Sequence, residues 1–283
     1  MENILITGAS TGIGYSLCKE FLKEDCKVFG SVRKQEDADR LSNDFGERFH
    51  PLIFDVTDHE AMEKAIIKMT AQLEGQGLSC LINNAGIAVG GPVMFTSMED
   101  YKRQFDVNLF GVIAVTKACL PLLGADKDFV GKAGKIMNIS SVSGQIAFPF
   151  LSPYCASKFA LEAFGDSLRR ELVYYGIDVI SIQPGPVKTP IWNKSKGLAP
   201  EVQGSDYEGP MKRFLKETVK SEQRGLEADE LAKSVFKVYR KRKPKTRYVF
   251  LNNKFTEFTI PRYFISPRTM DRFIKKAFFS KGK

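Results

Sequence analysis

Short apolar runs alternate along the chain with longer amphipathic ones. The short runs read as strands: "NILIT" (3–7), "CKVFGSV" (26–32), "HPLIFDV" (50–56), "SCLINN" (79–84), "KIMNIS" (135–140), "DVISIQP" (178–184) and "RYVFL" (247–251). Between them the apolar spacing becomes helical, over about 13–24, 35–45, 59–74, 98–123, 153–175 and 228–241. Most strands are near-continuous Ile, Leu and Val, as expected of a parallel sheet covered by helices on both faces. The pattern predicts an α/β fold, a single doubly wound parallel sheet of about seven strands.

Two stretches break the rhythm. Residues 190–226 are polar and rich in Gly and Pro, and they exceed the usual connection length, as functional or disordered insertions do. Residues 252–283 follow the last strand and have no further strand to feed. The expected division is a main domain over 1–251, with an insertion at about 190–226, and a C-terminal extension over 252–283.

Composition narrows the class. A hydrophobic fraction of 43% with 11% aromatics is ample for a packed core. The longest apolar stretch, "LFGVIAVTKACLPLLG", is broken by Lys117 and Pro121, so no membrane span is expected. The N-terminus enters a strand directly, without a basic leader, so no secretory signal is expected. Five cysteines with no C-x-x-C pair fit reduced thiols and a cytoplasmic location. His50 and His59 are the only histidines, which argues against a metal site or a Ser–His–Asp triad and places both at element ends. The net charge of +9 is local: residues 237–283 carry +13 and the rest carries −4.

Candidate chemistry sits at the ends of the strands. After the first comes "TGASTGIG", with Gly8, Gly12 and Gly14. Gly8 permits a sharp turn, Gly12 lets backbone amides approach a pyrophosphate, and Gly14 allows close packing of the helix. The phosphates would face a helix N-terminus, with Ser10 and Thr11 adding hydroxyls and Ile13 in the turn. A plain tight turn is the competing reading. The second strand ends in "GSVRK", with no acidic residue for an adenosine 2′-hydroxyl. Arg33 suits a 2′-phosphate instead, which favours NADP(H) over NAD(H), unless Arg33 and Lys34 merely solvate the loop. Asp55 and Val56 end the third strand, where Asp55 either accepts from the adenine amino group or caps the next helix; Asp58 is better placed to cap.

"NNAG" (83–86) closes the fourth strand, where Asn84, Ala85 and Gly86 can border a nicotinamide ribose. Asn108 interrupts an apolar helical run and needs a partner if buried. Ser140 and Ser141 end the fifth strand, and "YCASK" follows. Tyr154 and Lys158, four residues apart, share one face of a helix that must also bury Phe159, Leu161, Phe164 and Leu168. A free Tyr has a pKa near ~10, and a cation alongside lowers it; about three units of lowering takes about 4 kcal/mol. Lys158 would supply part of this and the oxidised nicotinamide ring more. Tyr154 would then exchange a proton with a substrate oxygen that Ser141 also bonds.

"TGASTGIG", "NNAG", Asn108, "SS" at 140–141, "YCASK" and "PGPVKT" (184–189) stand in an order and spacing that resemble the classical short-chain dehydrogenases/reductases. The resemblance covers about residues 1–190. It implies a Rossmann-type fold, a nicotinamide cofactor and the catalytic tetrad Asn108, Ser141, Tyr154 and Lys158. It also implies that Asn108 joins a proton relay to Lys158 through water, and that Lys158 holds the ribose hydroxyls. Pro184, Gly185, Val187 and Thr189 would meet the nicotinamide carboxamide. The residue before the second glycine is Thr11, where some NADP-using members carry a basic residue, so the NADP(H) expectation rests on Arg33.

In the same family the 190–226 region builds a substrate lid, for which Ile191, Trp192, Leu198, Met211 and Phe214 are apolar anchors; a surface loop is the alternative. "KPKTRYVFLNNKF" resembles the steroid- and retinol-dehydrogenase-like branch, implying a hydrophobic ketone or aldehyde and its alcohol. The tail interleaves Phe255, Phe258, Tyr263, Phe264, Phe273, Phe278 and Phe279 with Lys and Arg. It either covers the domain's own apolar surface or lies peripherally on an anionic membrane. Family resemblance favours a homodimer or homotetramer through helices 98–123 and 153–175. Nucleic acid is not expected as a partner, for want of a binding motif. A non-catalytic cofactor-sensing or membrane-binding module on the same fold is the alternative function.

Overall fold

The computed structural model describes residues 1–189, 191 and 199–280. Seven strands make one sheet: β1 (Glu2–Ile6), β2 (Cys26–Val32), β3 (Phe49–Ile53), β4 (Cys80–Asn83), β5 (Lys135–Ile139), β6 (Asp178–Pro184) and β7 (Arg247–Phe250). Every neighbouring pair is parallel, in the order β3-β2-β1-β4-β5-β6-β7. The order reverses between β1 and β4, so their C-terminal ends diverge into a crevice.

The helices are α1 (Gly12–Lys23), α2 (Gln35–Phe45), α3 (His59–Gln72), α4 (Met98–Phe105), α5 (Gly111–Cys119), α6 (Ser152–Leu172), α7 (Glu208–Gln223), α8 (Ala228–Tyr239), α9 (Ile260–Tyr263) and α10 (Pro267–Ile274). Strand residues alternate between two cores. Ile4 and Ile6 of β1 join Leu17 and Phe21 of α1 and Val235 of α8 on one face. Leu5 points the other way, among Met62 of α3, Val115 of α5 and Leu168 of α6. Each such side chain contributes about 1.5–3 kcal/mol by burial, which is why the continuous apolar strands demand helices on both sides.

Three stretches differ from their sequence pattern. The expected helix over 98–123 is broken by a π-helical turn at Asp106–Phe110, and Pro121 opens a separate short turn. The expected insertion contains α7, whose Pro210 lies in the first helical turn, where a missing N–H costs nothing. Trp192 and Leu198, the other expected anchors, lie outside the described residues. The tail forms α9 and α10, with a π-helical end at Lys275–Phe279.

Candidate active site

The glycine turn joins β1 to α1. Gly8 is left-handed at φ 67°, and a Cβ on Gly14 would lie 2.0 Å from the Gly8 carbonyl oxygen. Only glycine lets α1 start so close to the strand end. Asn84 locks the turn to β4 by donating Nδ2 to the Thr7 and Gly8 carbonyls at 2.9 and 3.1 Å. Ser31 Oγ accepts from the Gly8 amide at 3.0 Å, and Arg40 donates to the Ser10 carbonyl at 2.8 Å. The α1 N-terminus has no side-chain cap and no acid in its first turn, so its free amides and dipole suit an anion. Arg33 beyond β2 is 67% exposed, 3.9 Å from Asp55. This donor set fits a phosphorylated dinucleotide. Asp55 binds Thr57 through its backbone amide and hydroxyl, while Asp58 caps α3, so the helix-capping reading of Asp55 fails.

Across the crevice, Asn108 occupies the π-turn and is 1% exposed. Its Oδ1 accepts from the Ile87 amide at 2.9 Å, and its Nδ2 donates to the Ile87 carbonyl at 3.0 Å and Ser157 Oγ at 3.2 Å. Ser157 passes its own proton to the Tyr154 carbonyl at 2.8 Å. The extra residue of the π-turn turns a polar side chain inward from an otherwise apolar helix. Asn108 is thus no exposed helix residue.

Ser141 Oγ accepts from the Ser143 amide at 3.1 Å. That leaves its hydroxyl proton for Tyr154, which it bonds. Neighbouring Ser140 lines the same cavity, its Oγ buried without a hydrogen-bond partner among the described residues. Lys158 Nζ donates to the Ile139 carbonyl at 2.9 Å and lies 5.8 Å from the Tyr154 ring centre.

The electrostatics differ from the sequence expectation. Burial pushes the Tyr154 phenol up to about 12, with the Ser141 hydrogen bond pulling the other way. Burial also disfavours the ammonium and brings Lys158 down to about 8, with Glu162 partly restoring it. Both shifts are set first by desolvation.

The glycine turn, Ser141, Tyr154 and Lys158 open into one cavity of about 1390 Å³, running from the glycine turn to α7. That exceeds the roughly 300–1,000 Å³ of a single-ligand pocket. Gly8, Ser10, Thr11, Gly12, Ile13, Gly14, Arg33, Asp55, Val56, Asn84, Ala85 and Gly86 line its first part. Ser141, Tyr154, Lys158, Pro184, Gly185, Val187 and Thr189 line its centre. Asn108 lies behind the wall.

Residues 2–197, more than half the chain, match the short chain dehydrogenase family. The chain belongs to it. The chain is 39% identical over 276 residues to the NADPH-dependent 3-dehydrocapnine reductase of Ornithobacterium rhinotracheale, covering 98% of this chain and 97% of that one. The mouse mitochondrial D-beta-hydroxybutyrate dehydrogenase is 39% identical over 188 residues, covering 64% and 53%. Among solved structures, the closed form of a serine dehydrogenase complexed with NADP+ superposes with a TM-score of 0.74 at 25% identity, covering 88% and 94%.

This short-chain dehydrogenase is therefore an oxidoreductase of the alcohol–carbonyl class. Behind the cavity wall at Phe214 lies an aromatic cluster: Phe150 stands 5.4 Å from Phe214, 5.7 Å from Phe279 and 6.2 Å from Tyr207, centre to centre. The tail divides by burial. Phe258 is buried and Phe278 lines the cavity, while Phe255, Tyr263, Phe264 and Phe273 stay exposed. Sequence reasoning missed Ser157, which lies inside "YCASK", and Phe150, whose left-handed backbone at φ 63° has no sequence signal. No described helix is long and apolar enough to cross a membrane.

Proposed function

We propose that this dehydrogenase interconverts a hydrophobic ketone or aldehyde and its alcohol with NADP(H), using Tyr154 as the acid and base. The observation that carries the reading is the Tyr154–Ser141 pair opening into a cavity shared with the glycine turn on one side and an aromatic chamber on the other. The bound nicotinamide supplies the hydride. At neutral pH the buried phenol keeps its proton and offers it to the substrate oxygen. Ser141, its Oγ already accepting from Ser143, donates to the same oxygen. Lys158, charged below about pH 8, opposes the negative charge left on Tyr154 and holds the ribose hydroxyls. Asn108 fixes the loop at Ile87 and the first turn of α6 in one register. Met211 and Phe214 of α7 close over the substrate and exclude water.

Arg33 is the residue that favours NADP(H). The O. rhinotracheale relative and the NADP+ complex support that preference. The protein acts as a homodimer or homotetramer through α4, α5 and α6, where Phe110 and Phe159 are exposed. The exposed aromatic and basic side of the tail rests peripherally on a membrane. The assay follows NADPH, and separately NADH, absorbance over steroid, retinoid and acyl-lipid carbonyls. Tyr154→Phe is expected to cut turnover by roughly 10²–10⁴-fold while NADPH still binds; unchanged turnover rejects the reading. Arg33→Ala is expected to raise the KM for NADPH at least about tenfold, the worth of a charge-assisted bond, and to leave NADH unaffected.

A further inference from the structure

We propose that the last turn of the chain is the far wall of the substrate chamber, latched there by Arg213, and that it forms a subsite for an extended apolar chain. This rests on the reading of the protein as a reductase of a hydrophobic carbonyl compound. The substrate class it implies is a carbonyl compound carrying one extended alkyl chain.

Three observations meet here. Phe278 lines the cavity that holds Tyr154 and Ser141, although it stands more than a hundred residues later in the chain. Phe95, Leu151, Val202, Met211 and Phe214 give that cavity an apolar wall, while Glu217, Thr218, Ser221 and Glu222 line it farther along α7. A hydrocarbon chain has no polar group to satisfy, and the apolar wall offers it none. Secondly, the terminal segment is fastened. Arg213 of α7 donates Nε and Nη2 to the Phe278 carbonyl at 2.8 and 2.6 Å. That carbonyl belongs to the closing turn Lys275–Phe279, where helix carbonyls lack partners and a guanidinium is favoured. Thirdly, the aromatic rings mesh. Phe278 meets Phe214 at 5.9 Å, tilted by 66°, and Phe279 meets Phe150 at 5.7 Å. Phe150 holds a left-handed backbone, with its carbonyl accepting from the Gly91 amide at 2.8 Å, just before α6 and Tyr154. A non-glycine residue keeps that conformation only where its surroundings over-determine it. The chain end is therefore braced against the same residues that position the start of the catalytic helix.

Val202, Met211, Arg213, Phe214 and Phe278 all lie beyond residue 197, where the family match stops. Phe95 and Leu151 of the matched region complete the wall, so the subsite joins the two parts of the chain. Arg213 is a positioning residue, acting through Phe278, and Phe278 is the residue that meets the chain.

The test uses the full-length protein, saturating NADPH and a ladder of straight-chain ketones of increasing length. Wild-type kcat/KM is expected to rise by roughly fourfold per added methylene, as apolar burial predicts, until the chain reaches Phe278. Phe278→Ala and Arg213→Met should each lower the long-over-short ratio of kcat/KM at least about tenfold, two to three methylenes' worth of contact. The change should appear in KM rather than kcat. Arg213→Lys should restore part of it, since an ammonium reaches the same carbonyl with fewer bonds. Phe278→Leu and truncation after Ile274 supply further variants if either first one fails to fold, with melting temperature and NADPH binding as the checks. A wild-type length profile that survives in Phe278→Ala and in the truncated chain overturns the subsite alone. A wild-type enzyme that reduces all lengths equally overturns the subsite alone, and one that reduces no ketone overturns the functional reading and the subsite with it.

Discussion

Burial moves Tyr154 and Lys158 in opposite directions. Burial holds the phenol protonated to about 12 and drives the ammonium down to about 8, so the lysine is the first of the pair to titrate. As pH rises through about 8, Lys158 becomes neutral and no longer offsets the charge left on Tyr154. The expected outcome is a fall in kcat/KM for ketone reduction above about pH 8, read from a pH–rate profile. A profile flat to pH 10 would remove Lys158 from the chemistry. Stability follows linkage. Between the folded Lys158 value of about 8 and its ordinary 10.5, the unfolded chain binds more protons, so this group's contribution raises stability with pH. For Tyr154 the sign reverses: from its ordinary 10.0 to about 12 the folded protein holds the extra proton, and stability falls. The Y-x-x-x-K spacing was legible in the sequence, because a helix places i and i+4 on one face. The shifts were not, because burial depends on β5, the Ser141 turn and the chamber wall arriving from elsewhere in the chain.

At the scale of elements, the glycine turn shows how closely pattern and packing agree. A Cβ on Gly14 would lie 2.0 Å from the Gly8 carbonyl oxygen and 2.6 Å from Asn84 Nδ2, neither of which can retreat without opening the β1–β4 crevice. Gly14→Ala is expected to destabilise the protein by about 1–3 kcal/mol, the usual cost of overpacking, and to abolish NADPH binding; denaturant melts and fluorescence titration would check both. Unchanged cofactor affinity would mean that the turn is only a tight turn. The limits of β2, α2 and β6 agree with their sequence patterns to the residue. The breaks that pattern could not supply each follow from a tertiary partner. Asn108 bends its helix into a π-turn to reach Ile87. α7 was hidden because Gly209 and Pro210 read as loop, although Met211 and Phe214 are buried one turn apart beneath it. Phe159, expected inside, is 42% exposed on α6, whereas Leu161 and Leu168 of the same helix are buried.

Across the whole molecule, two sets of exposed apolar side chains lie where assembly and membrane contact are proposed. Phe110 at the start of α5 and Phe159 on α6 are 52% and 42% exposed, on the helices proposed to assemble copies of the chain. Phe159→Glu is expected to shift the mass measured by light scattering from dimer or tetramer to monomer; an unchanged mass would place the interface elsewhere. Phe255, Tyr263, Phe264 and Phe273 face solvent beside the basic residues of the tail. Sedimentation with vesicles should show binding to anionic lipid that weakens as salt rises, whereas equal recovery with neutral vesicles would exclude charge-driven docking. By itself the sequence determined the parallel doubly wound sheet, since uninterrupted apolar strands have to be covered on both faces. It also determined the family and the order of the glycine turn, Asn108, Ser141, Tyr154 and Lys158, since these are local spacings on strand ends and helix faces. Only the tertiary structure decided which side chains are desolvated, which half of the tail turns inward and that Phe278 meets Phe214. Those outcomes depend on contacts between residues far apart in the chain, whose geometry no local pattern encodes.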